Sequence, residues 1–508
     1  MKKTNLYLGL ATMVLTLGIV VSCTKLDTQV YSVVPDKNFW QTPDQIAAGI
    51  APAYQALQAL PNGNLFEISE VSGGEMVVPT RGNDWYDNGD HQALWLHSWK
   101  PDRGNINGLW NDFYNGIGKA NFTLGVVNAL ATKPTNIDAI NAELKAVRAY
   151  FYYQAMDAFG NIPVVSDFNT NPNSVTNSDR ATVFAFVEKE LKDNIALLAA
   201  NKDASTYGRM TQWAAHMILA KLYLNAQVYT GTPRWADCIT ECDAVINSGK
   251  YALSANYFDN FAISNDGSQE NIFVVPFDKK YIGGNNWEME TLHYQSNATY
   301  SLSGSPWNGY CSTADIYNLY DAADKRRAMY LVGQQYGADG TALTDVQTSL
   351  PLIFDPNVAS ISDPSAPFRL AGARNVKYYP EAGTAGNQSN DMVLFRLGDA
   401  YLTRAEASFR NADLAGALAD VNLLRERAYG DATHNWTLAN VTAANLYAER
   451  QREMAWECWS RQDAIRFGVF GNARNPAKVA DGDTHWQIFP IPAPQIISNP
   501  NLQQNPGY

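Results

Sequence analysis

Residues 393–428 read VLFRLGDAYLTRAEASFRNADLAGALADVNLLRERA in a chain of 508 residues. This segment predicts two consecutive helices, the first through Leu397 and Tyr401 and the second through Ala417 and Leu418. Helical hairpins that stack on one another bury a continuous core and present a face to partners. The segment therefore favours a mainly helical binding protein over an enzyme.

Helical patterns recur elsewhere along the chain. Residues 141–165 and 208–231 carry apolar side chains three and four positions apart, which predicts two amphipathic helices, the first ended by Gly160 and Pro163. A third helix follows and ends near Gly249. In the opening segment, Leu397-Gly398-x-x-Tyr401 is typical of a tetratricopeptide hairpin, with a first helix about two turns longer than that repeat allows.

A last helix is predicted over residues 446–468, LYAERQREMAWECWSRQDAIRFG. Opposite charges three and four positions apart on a helix mostly stabilise it and its docking, so we interpret the charges here as structural. These residues are Glu449, Arg450, Arg452, Glu453, Glu457, Arg461, Asp463 and Arg466. Cys238 and Cys242 have no neighbouring metal-ligand pattern and are interpreted as buried or incidental thiols.

Helical periodicity fades between about residues 250 and 390. The chain there is rich in Gly, Asn, Ser, Pro and Tyr, with one strand-like run at residues 272–277. A loop-dense segment of this size within a helical protein is more often functional than idle.

The N-terminus has the layout of a bacterial lipoprotein signal. Lys2 and Lys3 precede the apolar run at residues 6–21, and Ser22-Cys23 resembles the end of a lipobox. We expect residues 1–22 to be a signal peptide and Cys23 to carry lipid, including palmitate, as a membrane anchor. The alternative is an incidental thiol beside an ordinary cleavage site.

The composition excludes several functional classes. A formal net charge of −12 argues against nucleic acid as a partner. The sequence contains no Gly-x-Ser-x-Gly, His-Glu-x-x-His, P-loop or Gly-x-Gly-x-x-Gly motif, and we predict neither a metal nor a cofactor. A pair of glycosidase carboxylates needs no sequence motif, so a glycoside hydrolase stays open as an alternative.

Eight fragments carry a family resemblance that runs nearly from end to end. They follow the lipobox in this order: LDTQVYSVVPDKNFWQTPDQ, AELKAVRAYFYYQAMDAFGNIPVV, GRMTQWAAHMILAKLYL, NIFVVPF, DMVLFRLGDAYLTRAEA, ALADVNLLRERA, AERQREMAWECWSRQDAIRFG and IFPIPAPQIISNPNLQQNPGY. In this order they resemble the SusD/RagB family of outer-membrane lipoproteins, which capture nutrients for a TonB-dependent transporter. One departure is Cys458, which follows Glu457 where the family pattern has a glycine.

The resemblance implies an all-α (mainly) fold, an α-superhelix of four tetratricopeptide-like helix pairs with a large irregular, loop-rich portion. It implies one unit over residues 23–508, with an N-terminal part at about 24–250 and a loop-rich and C-terminal part at about 251–508. It also implies a ligand site on the irregular side and a helical side that packs on a TonB-dependent transporter of the SusC type.

Two loop stretches, residues 81–105 and 285–310, combine aromatic rings with polar groups. Flat aromatic rings can cover the apolar faces of sugars, while planar or bidentate polar groups fix hydroxyls. We expect an aromatic platform of Trp85, Trp287 and Trp307, with Arg81, Asp84 and Asn308 bonding sugar hydroxyls. The full set of predicted ligand-binding residues is Arg81, Asp84, Trp85, Tyr86, Trp287, Tyr294, Trp307, Asn308 and Tyr310.

The sequence thus predicts a non-enzymatic, cell-surface glycan-binding lipoprotein that delivers oligosaccharide or polysaccharide to an outer-membrane transporter. Capture of peptides or of another nutrient on the same scaffold is the alternative within the binding class.

Overall fold

The computed structural model describes residues 39–508. Over this range the chain is mainly helical. The α-helices are α1 (Pro43–Gln55), α2 (Asn64–Gly73), α3 (Asp90–Leu96), α4 (Gly104–Ala129), α5 (Ile137–Phe159), α6 (Arg180–Asn194), α7 (Gln212–Leu224), α8 (Ala226–Thr230), α9 (Trp235–Ile246), α10 (Trp287–Thr291), α11 (Asn297–Tyr300), α12 (Ala314–Tyr317), α13 (Leu397–Arg410), α14 (Leu414–Tyr429), α15 (Ala443–Glu453), α16 (Ser460–Arg466) and α17 (Ala493–Ser498).

The longer helices stack side by side in the order α4, α5, α6, α7, α9, α13 and α14. This arrangement confirms the predicted superhelix of helix pairs, and α13 with α14 forms the hairpin that the opening segment predicts. Helix α13 begins at Leu397, because residues 392–396 form a strand. The prediction of a first helix two turns too long was therefore wrong, and the 14-residue helix has an ordinary length.

Two helices predicted to be amphipathic lie in the interior. Every residue of α5 from Ala146 to Phe159 is buried, and so is every residue of α7 from Met217 to Leu224. Neighbouring helices cover them on more than one side, so the polar stripe expected of a surface helix is missing. Their buried polar groups are paired; for example, the Lys221 ammonium lies 2.8 Å from an Asp399 carboxylate oxygen.

Short strands connect the loop-rich segment to the helices. They are β1 (Thr80–Arg81), β2 (Asn271–Val275), β3 (Tyr330–Leu331), β4 (Gly333–Gln334), β5 (Ile353–Phe354), β6 (Ser362–Asp363), β7 (Arg374–Asn375) and β8 (Met392–Arg396). Strand β2 pairs antiparallel with β8, β3 with β7 and β4 with β5, whereas β1 runs parallel to β6. Strand β2 confirms the predicted strand-like run, and its pairing with β8 attaches that run to the start of α13.

The predicted last helix is two helices, α15 and α16, separated by residues 454–459. Trp456 and Cys458 in this connection have φ angles of 59° and 67°, in the left-handed region that interrupts a right-handed helix. The prediction of a single helix was wrong at this point. The conformation of Cys458 also explains why the family pattern carries a glycine there, since glycine adopts positive φ without a steric penalty.

The charged residues of α15 and α16 form a buried ionic network. Arg396, at the end of β8, lies 2.6 Å from Glu453 and 2.7 Å from Glu457, and it also contacts Glu270 beside β2. The structural interpretation of these charges is confirmed, although most of the pairs join different elements. The network fixes the loop-rich segment to the helical hairpin.

One buried apolar cluster extends from Trp40 to Leu502 and includes Cys238 and Cys242, as predicted for buried thiols. The C-terminal segment closes this core: the Phe489 amide donates to Ala158 and the Asn505 side chain to Phe159. Between residues 39 and 508, no helix combines the length and apolar character that crossing a membrane requires. The signal peptide and Cys23 lie outside the described residues.

Candidate functional site

The loop that follows β1 is held in an unusual backbone conformation. The amides of Arg81 and Asp84 each donate to the carbonyl of the other at 3.1 Å, which closes a tight turn. Trp85, Asp87 and Asn88 then adopt φ angles of 61°, 40° and 54°. A left-handed conformation at a residue as bulky as tryptophan is a genuine outlier, and such outliers concentrate at functional sites.

This loop packs against the second predicted stretch through two tryptophans. The Trp85 indole Nε1 donates to the backbone carbonyl of Trp307 at 2.7 Å. Trp85 is half-buried, Trp307 is 42% exposed and neighbouring Tyr86 is 56% exposed. We call these three residues the aromatic surface. The structure therefore brings the two predicted loop stretches together at the protein surface.

Gly309 makes the position of Trp85 possible. A Cβ atom at Gly309 would lie 2.3 Å from the Cζ2 atom of the Trp85 indole, far closer than any real contact. The missing side chain lets the indole lie directly against the backbone of the second stretch.

A polar group borders the aromatic surface. The Tyr294 hydroxyl donates to the Asp84 carboxylate, and the Arg369 guanidinium lies 3.7 Å from the same carboxylate and 5.0 Å from the Tyr294 ring centroid. Arg369 is held in turn by Asp345 at 2.8 Å. Burial and the hydrogen bond to Asp84 raise the pKa of Tyr294 to about 12, so this hydroxyl stays protonated at neutral pH. Asp84 keeps 45% of its side chain exposed and can accept further hydrogen bonds.

Two of the residues predicted to hydrogen-bond sugar hydroxyls instead form hydrogen bonds within the protein. Arg81 is buried and donates to the carbonyls of Asn308, Gly309 and Ala371 at 2.7 to 2.9 Å. Asn308 is also buried; its side chain donates to the Arg369 carbonyl and accepts from Arg374 at 2.8 Å. Their expected role in contacting sugar hydroxyls is corrected, because both side chains are already bonded inside the protein.

The expected platform of three tryptophans does not form. Trp287 is 1% exposed, and its ring centroid lies 4.8 Å from that of Tyr378 and 5.1 Å from that of Phe66. Tyr310 is likewise buried, with its ring 5.3 Å from that of Trp85. Trp287 is a core residue in this structure, and Tyr310 packs against the buried side of Trp85.

A buried histidine lies beneath Trp85 and was not predicted. The His91 ring centroid is 5.9 Å from that of Trp85, and its nitrogens lie 3.3 Å from Glu67 and 3.6 Å from Asp87. Burial alone would lower the pKa of His91, but the carboxylates of Glu67, Asp87 and Asp90 outweigh it and raise the pKa above its ordinary value. His91 thus links the loop that carries Trp85 to α2.

A separate groove of about 480 Å³ lies between α1 and residues 275–283. Its walls are largely apolar, with Ile50 and Ala51 on one side and Pro276 on the other. None of the predicted ligand-binding residues lines it. No group of acidic, histidine or cysteine side chains suited to a metal ion occurs within residues 39–508.

Comparisons with known proteins agree with this fold. A family model described as "Starch-binding associating with outer membrane" matches residues 26–224, and the SusD family model matches residues 367–508. The starch-binding protein SusD of Bacteroides thetaiotaomicron is 26% identical over 84% of this chain and 82% of its own length. A SusD-like protein of Bacteroides ovatus is 25% identical over 85% of this chain and 76% of its own length.

Solved structures are similar over nearly the whole chain. Surface glycan-binding protein A of Bacteroides thetaiotaomicron, in complex with laminarihexaose, superposes with a TM-score of 0.72 at 20% identity. A laminarin-binding SusD-like protein has a TM-score of 0.72 at 21% identity. Each match covers 92% of this chain and 100% of the other chain. At these identities the likeness establishes a shared fold.

Proposed function

The chain belongs to the SusD/RagB family, and from this membership we propose that it is a surface protein that binds glycans and does not process them. The observation that carries the proposal is the hydrogen bond that joins Trp85 to the backbone of the exposed Trp307, with the accessible Asp84 carboxylate next to Trp85 in the chain.

The chemistry of sugars explains why this arrangement suits a glycan. Sugar hydroxyls are well hydrated, so a protein hydrogen bond that merely replaces one to water contributes little net affinity. Stacking of an exposed aromatic ring on the apolar face of a sugar supplies the larger share. We infer that Trp307 and Tyr86 contribute affinity and that Asp84 and Tyr294 select the orientation of hydroxyl groups.

The relatives support a proposal for the class of ligand. The named relatives bind starch and laminarin, and a related structure holds laminarihexaose. We propose a polysaccharide or its oligosaccharides as the ligand of this chain, bound at the surface of the loop-rich segment.

Attachment and partnership complete the proposal. Residues 1–22 act as a lipoprotein signal peptide, and a lipid on Cys23 holds the protein in the outer membrane, facing outward. The helical side packs against a TonB-dependent transporter of the SusC type, to which the glycan is passed.

Two experiments test the anchor and the partner. The Cys23→Ser variant should no longer incorporate radioactive palmitate and should leave the membrane fraction. Affinity purification of the intact protein from native membranes should recover a large barrel protein. Palmitate retained by Cys23→Ser would contradict the lipid anchor, and purification without a barrel protein would contradict the transporter partner.

Glycan binding is tested by calorimetry and affinity electrophoresis with a panel of starch, laminarin, xylan, mannan and pectin. The intact protein should bind at least one member without releasing products. Trp307→Ala should weaken that binding about 5- to 150-fold, by analogy with aromatic stacking of about 1 to 3 kcal/mol. Phe122→Ala, which removes an exposed ring on α4, is the matched control and should bind normally. Normal binding by Trp307→Ala would refute the proposed site.

A further inference from the structure

The chain that leads to Trp307 crosses the surface as a strip of hydroxyl groups. Ser301, Ser303 and Ser305 are exposed, whereas Leu302 is buried and Gly304 is half-buried. We call residues 301–305 the serine strip. All three serines are accessible to solvent, and the exposed Trp307 stands two residues beyond the end of this strip.

The other end of the serine strip carries a second aromatic group. The ring centroids of Tyr300 and Tyr379 lie 5.7 Å apart with nearly perpendicular planes. Tyr379 is 56% exposed, whereas Tyr300 is partly buried against the apolar cluster that contains Leu302. The edge-to-face contact fixes the orientation of Tyr379 while leaving ring surface open to solvent.

Backbone hydrogen bonds hold the serine strip in place along its length. The Gly383 amide donates to Ser301 at 2.9 Å, and the Ser303 amide donates to Thr384 at 2.8 Å. The Ser305 hydroxyl donates to the Tyr294 carbonyl at 2.8 Å, which leaves its oxygen free to accept. The Thr384 side chain is itself bonded to buried Glu288. A surface held in this way loses little entropy when a ligand orders on it.

We propose that Tyr379, supported by Tyr300, is a second aromatic subsite for the same glycan chain that binds Trp307, with the serine strip hydrogen-bonding the sugars between them. This inference rests on the proposed function and deepens it, because it makes the protein selective for chain length. Seven residue steps separate Tyr300 from Trp307, so the Cα atoms of these two residues are at most about 25 Å apart.

The two subsites make affinity depend on the length of the glycan. A short oligosaccharide can contact only one of the two aromatic subsites, whereas a glycan chain that spans the serine strip contacts both. Binding at the second subsite is then intramolecular, because the glycan has already lost its translational and rotational freedom at the first. Affinity should therefore rise with length until the chain reaches both subsites and then level off. Removal of the Tyr379 ring should abolish the gain in affinity that longer glycans obtain by reaching the second subsite.

The experiment uses a ladder of oligosaccharides, two to ten sugars long, prepared from the panel member that the intact protein binds. Calorimetry on the full-length protein should show that Tyr379→Ala weakens binding of the longest members about 5- to 150-fold and leaves the shortest unchanged. Tyr379→Phe should restore the length dependence, because it keeps the ring. Trp307→Ala should weaken binding at every length, and Phe122→Ala should behave like the intact protein.

The outcomes separate the two proposals. If Tyr379→Ala matches the intact protein at every length while Trp307→Ala does not, the second subsite is refuted and the proposed site stands. If Tyr379→Ala weakens short and long chains equally, the length-selective role is refuted. If the intact protein binds no member of the panel, both proposals are refuted.

Discussion

The indole nitrogen of Trp85 donates a 2.7 Å hydrogen bond to the backbone carbonyl of Trp307, although 222 positions of sequence separate the two residues. This bond fixes the orientation of one tryptophan and the backbone of the other. The geometry of the aromatic surface therefore depends on how two distant loops meet, and this dependence can be tested without removing either ring.

Gly309→Ala should displace Trp85, because the new Cβ would lie 2.3 Å from its indole ring. We expect glycan affinity to fall about 5- to 150-fold, with both rings still present. Calorimetry measures the affinity, and a thermal melt checks the fold. Gly118→Ala is the matched control, because its Cβ would meet open space. Equal affinity in the two variants would contradict the role of Gly309.

Trp287→Ala should lower the free energy of unfolding by about 3 to 5 kcal/mol, because it empties a buried site of tryptophan size. Trp307→Ala should cost roughly 1 kcal/mol or less, since surface substitutions have small effects. Denaturant titration of both variants measures the difference. If Trp307→Ala proved the more destabilising of the two, the assignment of core and surface would be reversed.

Arg396→Met should lower the free energy of unfolding by about 3 to 5 kcal/mol. The substitution keeps most of the side-chain volume but leaves Glu270, Glu453 and Glu457 short of a buried positive partner. The exposed pair Lys189 and Asp193 supplies the control, and Lys189→Met should leave the denaturant midpoint unchanged. Equal midpoints for the two variants would mean that the network adds nothing to stability.

Cys458→Gly should be more stable than Cys458→Ala by about 1 kcal/mol. Both variants remove the thiol, but only glycine adopts the φ of 67° without a steric penalty. Comparing the two variants by denaturant titration separates backbone strain from the loss of the sulfur. A more stable alanine variant would show that the connection between α15 and α16 is not strained at this residue.

Acid should destabilise the protein through His97. Burial, followed by the charge of Arg474, lowers the pKa of His97 to about 4, although Ser72 and Asp481 hydrogen-bond the ring. An unfolded histidine has a pKa of about 6.5, so the unfolded chain binds the extra proton between those two values. The free energy of unfolding should therefore fall by about 3 kcal/mol as the pH drops from about 6.5 to 4, and stay unaffected by His97 above that range.

The variant His97→Gln isolates this contribution, because every other titrating group is common to both proteins. The difference in unfolding free energy between intact protein and variant should shrink as the pH falls from about 6.5 to 4. A difference that stays constant over that range would show that His97 is not held neutral.

Local periodicity explains why the helices could be predicted from the sequence. The end of α5 at Gly160 and the hairpin of α13 and α14 depend on residues that are close along the chain. The segment that begins at residue 393 predicts a helix from its first residue, because a short buried strand and a buried helix present the same continuous apolar run. Only the partner strand β2 distinguishes the two cases.

The two stretches of sequence that form the candidate site could be predicted, but only some of the individual residues in it could. Trp287 and Trp307 lie in the same loop-rich part of the sequence, where no period in the residue pattern distinguishes a buried ring from an exposed one. Trp287 is buried by Phe66 and Tyr378, which come from distant parts of the chain. His91 and Arg369 carry no local motif, so their place beside the aromatic surface emerges only once the chain is folded.

The contacts of the C-terminal segment with the end of α5 determine when that helix can be fully buried during synthesis of the chain. Asn505 bonds to the carbonyl of Phe159, 346 positions earlier in the chain. Synthesis proceeds from the N-terminus, so α5 leaves the ribosome long before the residues that cover its end. A nascent chain with such an apolar helix exposed is prone to aggregate, and chaperones protect chains in that condition. This protein therefore depends on such protection at α5 until residues 489–505, which cover the end of that helix, have been made.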